Sequence, residues 1–219
     1  MLSVCGGGEG SAATVSVHAR RDFLTKLTSL VVWGFSGGAV ARADEICQSM
    51  GPHWSRCTVG IPAERLFVGT RQESREWCWA ACIEMVFGYY GHRVSQSRIV
   101  QETWGGLVDK PVHERQLLDD LNRSWTDNRG RRFRSNADVF DQPAAGVSDL
   151  RRNRPLILGT LGHTVVLTAI TLEIDDFSGR WNIAEAVVYD PWTGHGARIL
   201  SAEEWRNVRF AVRVELHDV

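Results

Sequence analysis

The apolar positions of this chain change their period once, and that change divides it. From Cys78 onward, Ala81, Cys82, Met85, Val86 and Tyr89 recur at helical spacing and Gly91 follows as a stop, which predicts a helix over 78–90 buried on one face. "SQSRIVQETW" (95–104) predicts a second helix capped by Ser95, and "HERQLLDDLNRSW" (113–125) a third with Leu117, Leu118 and Leu121 turned inward. Beyond "SDLRRNRP" the pattern differs. "PLILGT", "HTVVLTAITLEI", "WNIAEAVVYDP", "ARILS" and "VRFAVRVEL" are β-branched runs separated by Gly, Asp, Ser and Asn, which predicts a mostly antiparallel sheet. A helical N-terminal half packed on a strand-rich C-terminal half is an α+β arrangement, and a site is most easily built in the cleft between them.

Composition narrows the function classes. With 219 residues, 43% of them hydrophobic, the chain suffices for one domain with a sizeable core. The net charge is −1, and the one basic cluster, "NRGRRFR" at 128–134, reads as a solvated loop. That balance points away from nucleic-acid and membrane-surface partners.

The first 43 residues read as an export signal instead of as part of the fold. Arg20 and Arg21, followed by Asp22, Phe23, Leu24 and Lys26, resemble a twin-arginine motif, and an apolar stretch from Leu27 to Val40 follows. Ala41, Arg42 and Ala43 form a small-x-small cleavage pattern, so the expected mature start is Asp44. A run of about 14 residues is too short to span a bilayer of roughly 30 Å, so no stable membrane insertion is expected once it is removed. The expected location is periplasmic or secreted. Export after folding also makes a proteinaceous inhibitor or a chaperone an expected partner.

Removing the signal removes Cys5 and leaves Cys47, Cys57, Cys78 and Cys82. In an oxidising compartment Cys47 and Cys57, which flank "QSMGPHWSR", are the natural local disulfide, since C-x9-C with only His53 between has no metal-ligand spacing. Cys78 is the better nucleophile of the remaining two. It opens its predicted helix, where unpaired amides and the positive dipole end favour a thiolate, whereas Cys82 lies one turn deeper on the apolar face as a packing residue.

At this point the sequence resembles a known family. In "QESREWCWAAC", Gln72 stands six residues before Cys78, and Trp79 and Ala80 follow, which resembles the signature of papain-like cysteine peptidases. "GHTVVLTAI" (162–170) is similar to that family's strand-leading histidine. "VVYDPWTGHG" (187–196) resembles the Asp-Pro motif of the compact bacterial branch, which includes bacteriocin-leader peptidases and secreted effector proteases of plant pathogens. The resemblance covers roughly 65–210, and makes 65–219 the peptidase domain behind an N-terminal segment, 44–64. No asparagine stands where plant papains place their third catalytic residue, so the version with aspartate fits.

The resemblance implies roles. Cys78 would attack a peptide carbonyl, His163 would hold and return the proton, and Asp190 would orient the imidazole. Gln72 and the Cys78 backbone N–H would stabilise the oxyanion. The product is a thioester acyl-enzyme that water hydrolyses, with a protein or peptide as substrate and no cofactor. Asp175 and Asp176 are weaker substitutes for Asp190, because they fall at the end of a predicted hairpin. Trp79 and Trp192 are expected at the cleft wall, and His53, His92, His113 and His195 at the surface. Two other readings keep the fold: acyl transfer to an amine or thiol on the same site, and a non-catalytic or redox protein in which Cys78 and Cys82 form a strained or idle disulfide or the fold serves only to bind a partner.

Overall fold

A computed structural model describes residues 44–62, 66, 71–140 and 142–219. The export-signal reading at 1–43, with Cys5, lies outside the described residues. The elements in chain order are β1 (Asp44–Gly51), β2 (Trp54–Gly60), α1 (Cys78–Tyr89), α2 (Gln96–Trp104), α3 (Glu114–Leu121), β3 (Ser124–Thr126) and β4 (Arg132–Phe140). A short 3₁₀ turn (Pro143–Gly146) and α4 (Val147–Leu150) lead to β5 (Leu156–Thr160), β6 (His163–Asp175), β7 (Trp181–Asp190), β8 (Gly196–Ile199), α5 (Ala202–Arg206) and β9 (Val208–Asp218).

The described strands form one antiparallel sheet in the order β1-β2-β6-β5-β9-β4-β3, with β7 and β8 branching from β6. β6 organises it. On one edge it pairs first with β5, from His163 to Leu167, and then with β2, from Ala169 to Asp175. On the other edge it pairs with β7. Its residues are buried almost continuously, because α1 packs across it and strands flank both edges.

α1 is apolar nearly all round, and nine of its side chains from Cys78 to Phe87 are buried, so it sits inside the molecule and not on its surface. Its Phe87 ring stands edge-on to Phe133 of β4 and Trp125 of β3, at 5.1 and 5.6 Å between centroids. Burying each such ring contributes about 1.5–3 kcal/mol. α2 is capped as expected, with the Ser95 hydroxyl accepting the Arg98 N–H.

Three expectations need correction. The sheet is not confined to the C-terminal half, since β1 to β4 all join it. β1 and β2 enter it through the pairing of β2 with β6. The third helix ends at Leu121 because the Asn122 side chain bonds both the N–H and the C=O of Ala137 on β4, at 2.8 and 3.0 Å, which draws the chain into β3. The basic stretch 128–134 is a turn followed by the start of β4, with Phe133 fully buried. Cys47 and Cys57 stand opposite each other on β1 and β2 and form a disulfide.

Candidate active site

Cys78 is the first residue of α1, where the helix amides have no intrahelical partners and no side chain caps them. The start of α1 is held in place by the chain at 108–110. The Trp77 and Trp79 indole N–H groups donate to the carbonyls of Val108 and Lys110, and the Glu76 N–H donates to Asp109. His163 is the first residue of β6, reached from Thr160 through the two-residue turn Leu161–Gly162. Both turn residues have positive φ, 47° and 78°, as a tight hairpin with this handedness requires, and Gly162 suits that conformation. The turn brings the imidazole to the strand end nearest the start of α1.

Asp190 ends β7 and is almost fully buried. Its Oδ1 lies 2.8 Å from His163 Nε2 and accepts the Trp192 N–H at 2.8 Å. Its Oδ2 accepts Arg198 Nε at 2.8 Å and lies 3.1 Å from His195 Nδ1. Arg198 in turn reaches Glu204 at 3.0 and 2.5 Å, and Glu204 also completes a capping box with Ser201 at the start of α5. The result is a line of alternating charge from Glu204 through Arg198 and the buried Asp190 to His163.

The electrostatics follow from these contacts. Burial opposes the charged form of each group, and specific partners outweigh it. His163 is pushed up to about 9 by its bonds to Asp190 and Cys78. Asp190 is held well below the ordinary carboxylate range by His163, the Trp192 N–H and Arg198. The Cys78 thiol is lowered by hydrogen bonding and charge from His163, and further by Thr164. Cys82 moves the opposite way: complete burial raises it well above a free thiol. These shifts favour a thiolate–imidazolium pair at Cys78 and His163 and an inert thiol at Cys82.

An open cleft of about 400 Å³ exposes this constellation, lined by Cys78, Gly162, His163, Asp190, Trp192 and His195 among others. Trp192 stands edge-on to His163 with centroids 6.1 Å apart and is 43% exposed. Trp79 does not line the cleft: it is 1% exposed in the core, with its indole N–H donated to the Lys110 carbonyl. Gln72 lies in the loop before α1, its N–H bonded to the Pro191 carbonyl at 2.9 Å. Its two amide protons go to the carbonyls of Ser74 and Arg75, at 3.0 and 2.7 Å. Asp175, at the far end of β6, spends its carboxylate on the turn, accepting the N–H groups of Phe177 and Ser178.

The sequence did not single out Arg198, Glu204 or Thr164, while His195 is exposed as expected and meets Asp190 from the surface. The sequence also placed His92 at the surface, whereas His92 is 4% exposed and stacks on Phe133.

Residues 58–207 match the family described as papain-like cysteine protease AvrRpt2. The chain belongs to that family. It is a papain-like cysteine peptidase with an α+β fold. A comparison with the curated proteins found no match. Among solved structures the peptidase is similar to UfSP from C. elegans, at 12% identity and a TM-score of 0.45. That likeness covers 83% of this chain and 35% of that one, so the peptidase spans about a third of the other's length. Among the described residues, no helix is long and apolar enough to cross a membrane.

Proposed function

We propose that the peptidase hydrolyses peptide bonds through a thioester on Cys78, with His163 as the acid–base partner and Asp190 as the residue that orients it. The observation that carries this reading is the 2.8 Å contact between Asp190 Oδ1 and His163 Nε2 in the cleft that Cys78 also lines from the start of α1. The Cys78 thiolate adds to the scissile carbonyl, and the negative charge moves to the carbonyl oxygen. The Cys78 N–H, free of an intrahelical partner, and Gln72 donate to that oxygen. For Gln72 this means exchanging one of its bonds to the Ser74 and Arg75 carbonyls for the oxyanion, a side-chain rotation that leaves its backbone in place.

The tetrahedral intermediate collapses as His163 passes its proton to the leaving amine, and the amine departs. The neutral imidazole then takes a proton from water, whose oxygen attacks the thioester. The carboxylic acid leaves, and thiolate and imidazolium are restored. Asp190 keeps the Nε2 edge of the ring fixed throughout, so Nδ1 faces the sulfur. Cleavage of a peptide library by residues 44–219, beside Cys78→Ala, His163→Ala and Asp190→Asn, tests this. Wild-type cleavage that is lost in the first two variants is the expected result, and cleavage that survives Cys78→Ala would overturn it.

We propose further that the enzyme works outside the cytoplasm. The Cys47–Cys57 disulfide supports this, since such bonds persist in oxidising compartments, and so does the signal-like pattern around Arg20 and Arg21. Replacing both arginines with lysine should retain the protein in the cytoplasm; unchanged export would remove the twin-arginine reading.

A further inference from the structure

Gln96 is the buried polar side chain beside the site that the Cys78, His163 and Asp190 chemistry does not use. It is the first residue of α2 and only 1% exposed. Its Oε1 accepts the Glu73 N–H at 2.9 Å, and its Nε2 donates to the Arg71 carbonyl at 2.8 Å and to Glu84 Oε2 at 3.0 Å. The amide therefore bonds the carbonyl of the residue before Gln72 and the N–H of the residue after it, as a neighbouring strand would. On its other side the Gln72 N–H is held by the Pro191 carbonyl, next to Asp190. The backbone of Gln72 is fixed from α2 and from the Asp190 turn together, while its side chain folds back on the Ser74 and Arg75 carbonyls.

A buried amide with both protons and its carbonyl engaged is costly to leave half-satisfied, so the grip on the loop is specific and not incidental. It also has a chemical use. A side chain can swing one proton toward an oxyanion and deliver it at a defined place only when its backbone does not move with it.

We propose that Gln96 is a positioning residue for the oxyanion site, clamping residues 71–73 so that the Gln72 amide reaches the carbonyl oxygen of the substrate. This rests on the oxyanion role of Gln72 proposed above. The readout that separates positioning from general damage is alkylation of Cys78 by iodoacetamide, a reaction that needs the thiolate but develops no oxyanion.

The test uses a peptide cleaved by the wild-type enzyme and four variants: Gln96→Leu, Gln96→Glu, Gln72→Ala and the Gln72→Ala/Gln96→Leu double. In Gln96→Leu, kcat should fall on the order of 100-fold, with KM and the alkylation rate within about twofold of wild type. Gln96→Glu keeps the acceptor for the Glu73 N–H but turns a carboxylate toward the Arg71 carbonyl and Glu84, so its kcat should also fall with alkylation unchanged, and it carries the test if the leucine variant does not fold. Gln72→Ala should lose as much as Gln96→Leu, and the double no more than Gln72→Ala alone. Unchanged kcat in both Gln96 variants, alkylation falling in parallel with kcat, or additive losses in the double would overturn the proposal. If Gln72→Ala alone keeps full kcat, the oxyanion reading fails and the clamp with it; if Gln72→Ala is impaired and both Gln96 variants are not, the clamp alone fails.

Discussion

Arg198 donates from Nε to Oδ2 of Asp190 at 2.8 Å, leaving Oδ1 for His163. The guanidinium fixes the plane of the carboxylate and partly neutralises it, and Glu204 holds the guanidinium in turn. Arg198→Ala should lower kcat by about 10-fold or more through loss of orientation. It should also move the alkaline limb of the pH–rate profile upward, because an Asp190 carboxylate without its cation holds the His163 proton more tightly. Arg198→Lys, which keeps the charge without the fork, should recover part of the rate. Wild-type kinetics with an unmoved limb in Arg198→Ala would show that Asp190 needs no support from β8.

Trp192 contributes to the site in two separable ways. Its backbone N–H bonds Asp190, and its ring stands against His163 while remaining 43% exposed. Trp192→Ala keeps the first and removes the second, so kcat/KM should fall several-fold while the melting temperature shifts by about 2 °C or less. A large loss of thermal stability would mean that the ring is structural; full activity would mean that it does not shield the His163–Asp190 pair.

The Cys47–Cys57 bond closes a short loop between β1 and β2. Loop-closure entropy gives it about 2–3 kcal/mol. Cys47→Ser with Cys57→Ser should therefore lower the melting temperature by roughly 5–10 °C. Activity per folded molecule should be unchanged, because Cys57 pairs with Leu172, far along β6 from His163. Calorimetry under non-reducing conditions checks the first expectation and active-site titration the second.

Where one physical signal dominated, the sequence could be read. The α1 face, the capping of α2 by Ser95 and the β-branched runs of β5, β6, β7 and β9 all follow from spacing and residue type. β1 hid because its residues from Glu45 to Gly51 are all exposed, so no alternation marks it. β4 hid because its buried positions include Ser135 and Ala137, small residues that break an apolar count. Trp125 continued the helical period of α3 and ended on β3, a tertiary choice made by Asn122 and Ala137. At the site, Cys78, His163 and Asp190 stood out by motif and by their places at the ends of elements. Arg198 and Glu204 did not, because Arg198 acts through the Asp190 carboxylate that it reaches across the β7–β8 hairpin, and Glu204 acts through Arg198.

Catalysis at Cys78 depends on a thiolate–imidazolium pair with His163, and the decisive measurement is the rate of Cys78 alkylation by iodoacetamide as a function of pH. The two groups titrate together: the thiol ionises below its ordinary value of 9.0, and the imidazolium releases its proton at about 9. The wild-type enzyme should therefore label rapidly at mildly acidic pH, reach a plateau, and change again only near pH 9. His163→Ala should label slowly there and show a single rise toward the range of an ordinary thiol. A wild-type profile with only that single late rise, indifferent to His163→Ala, would contradict the pair and the mechanism built on it.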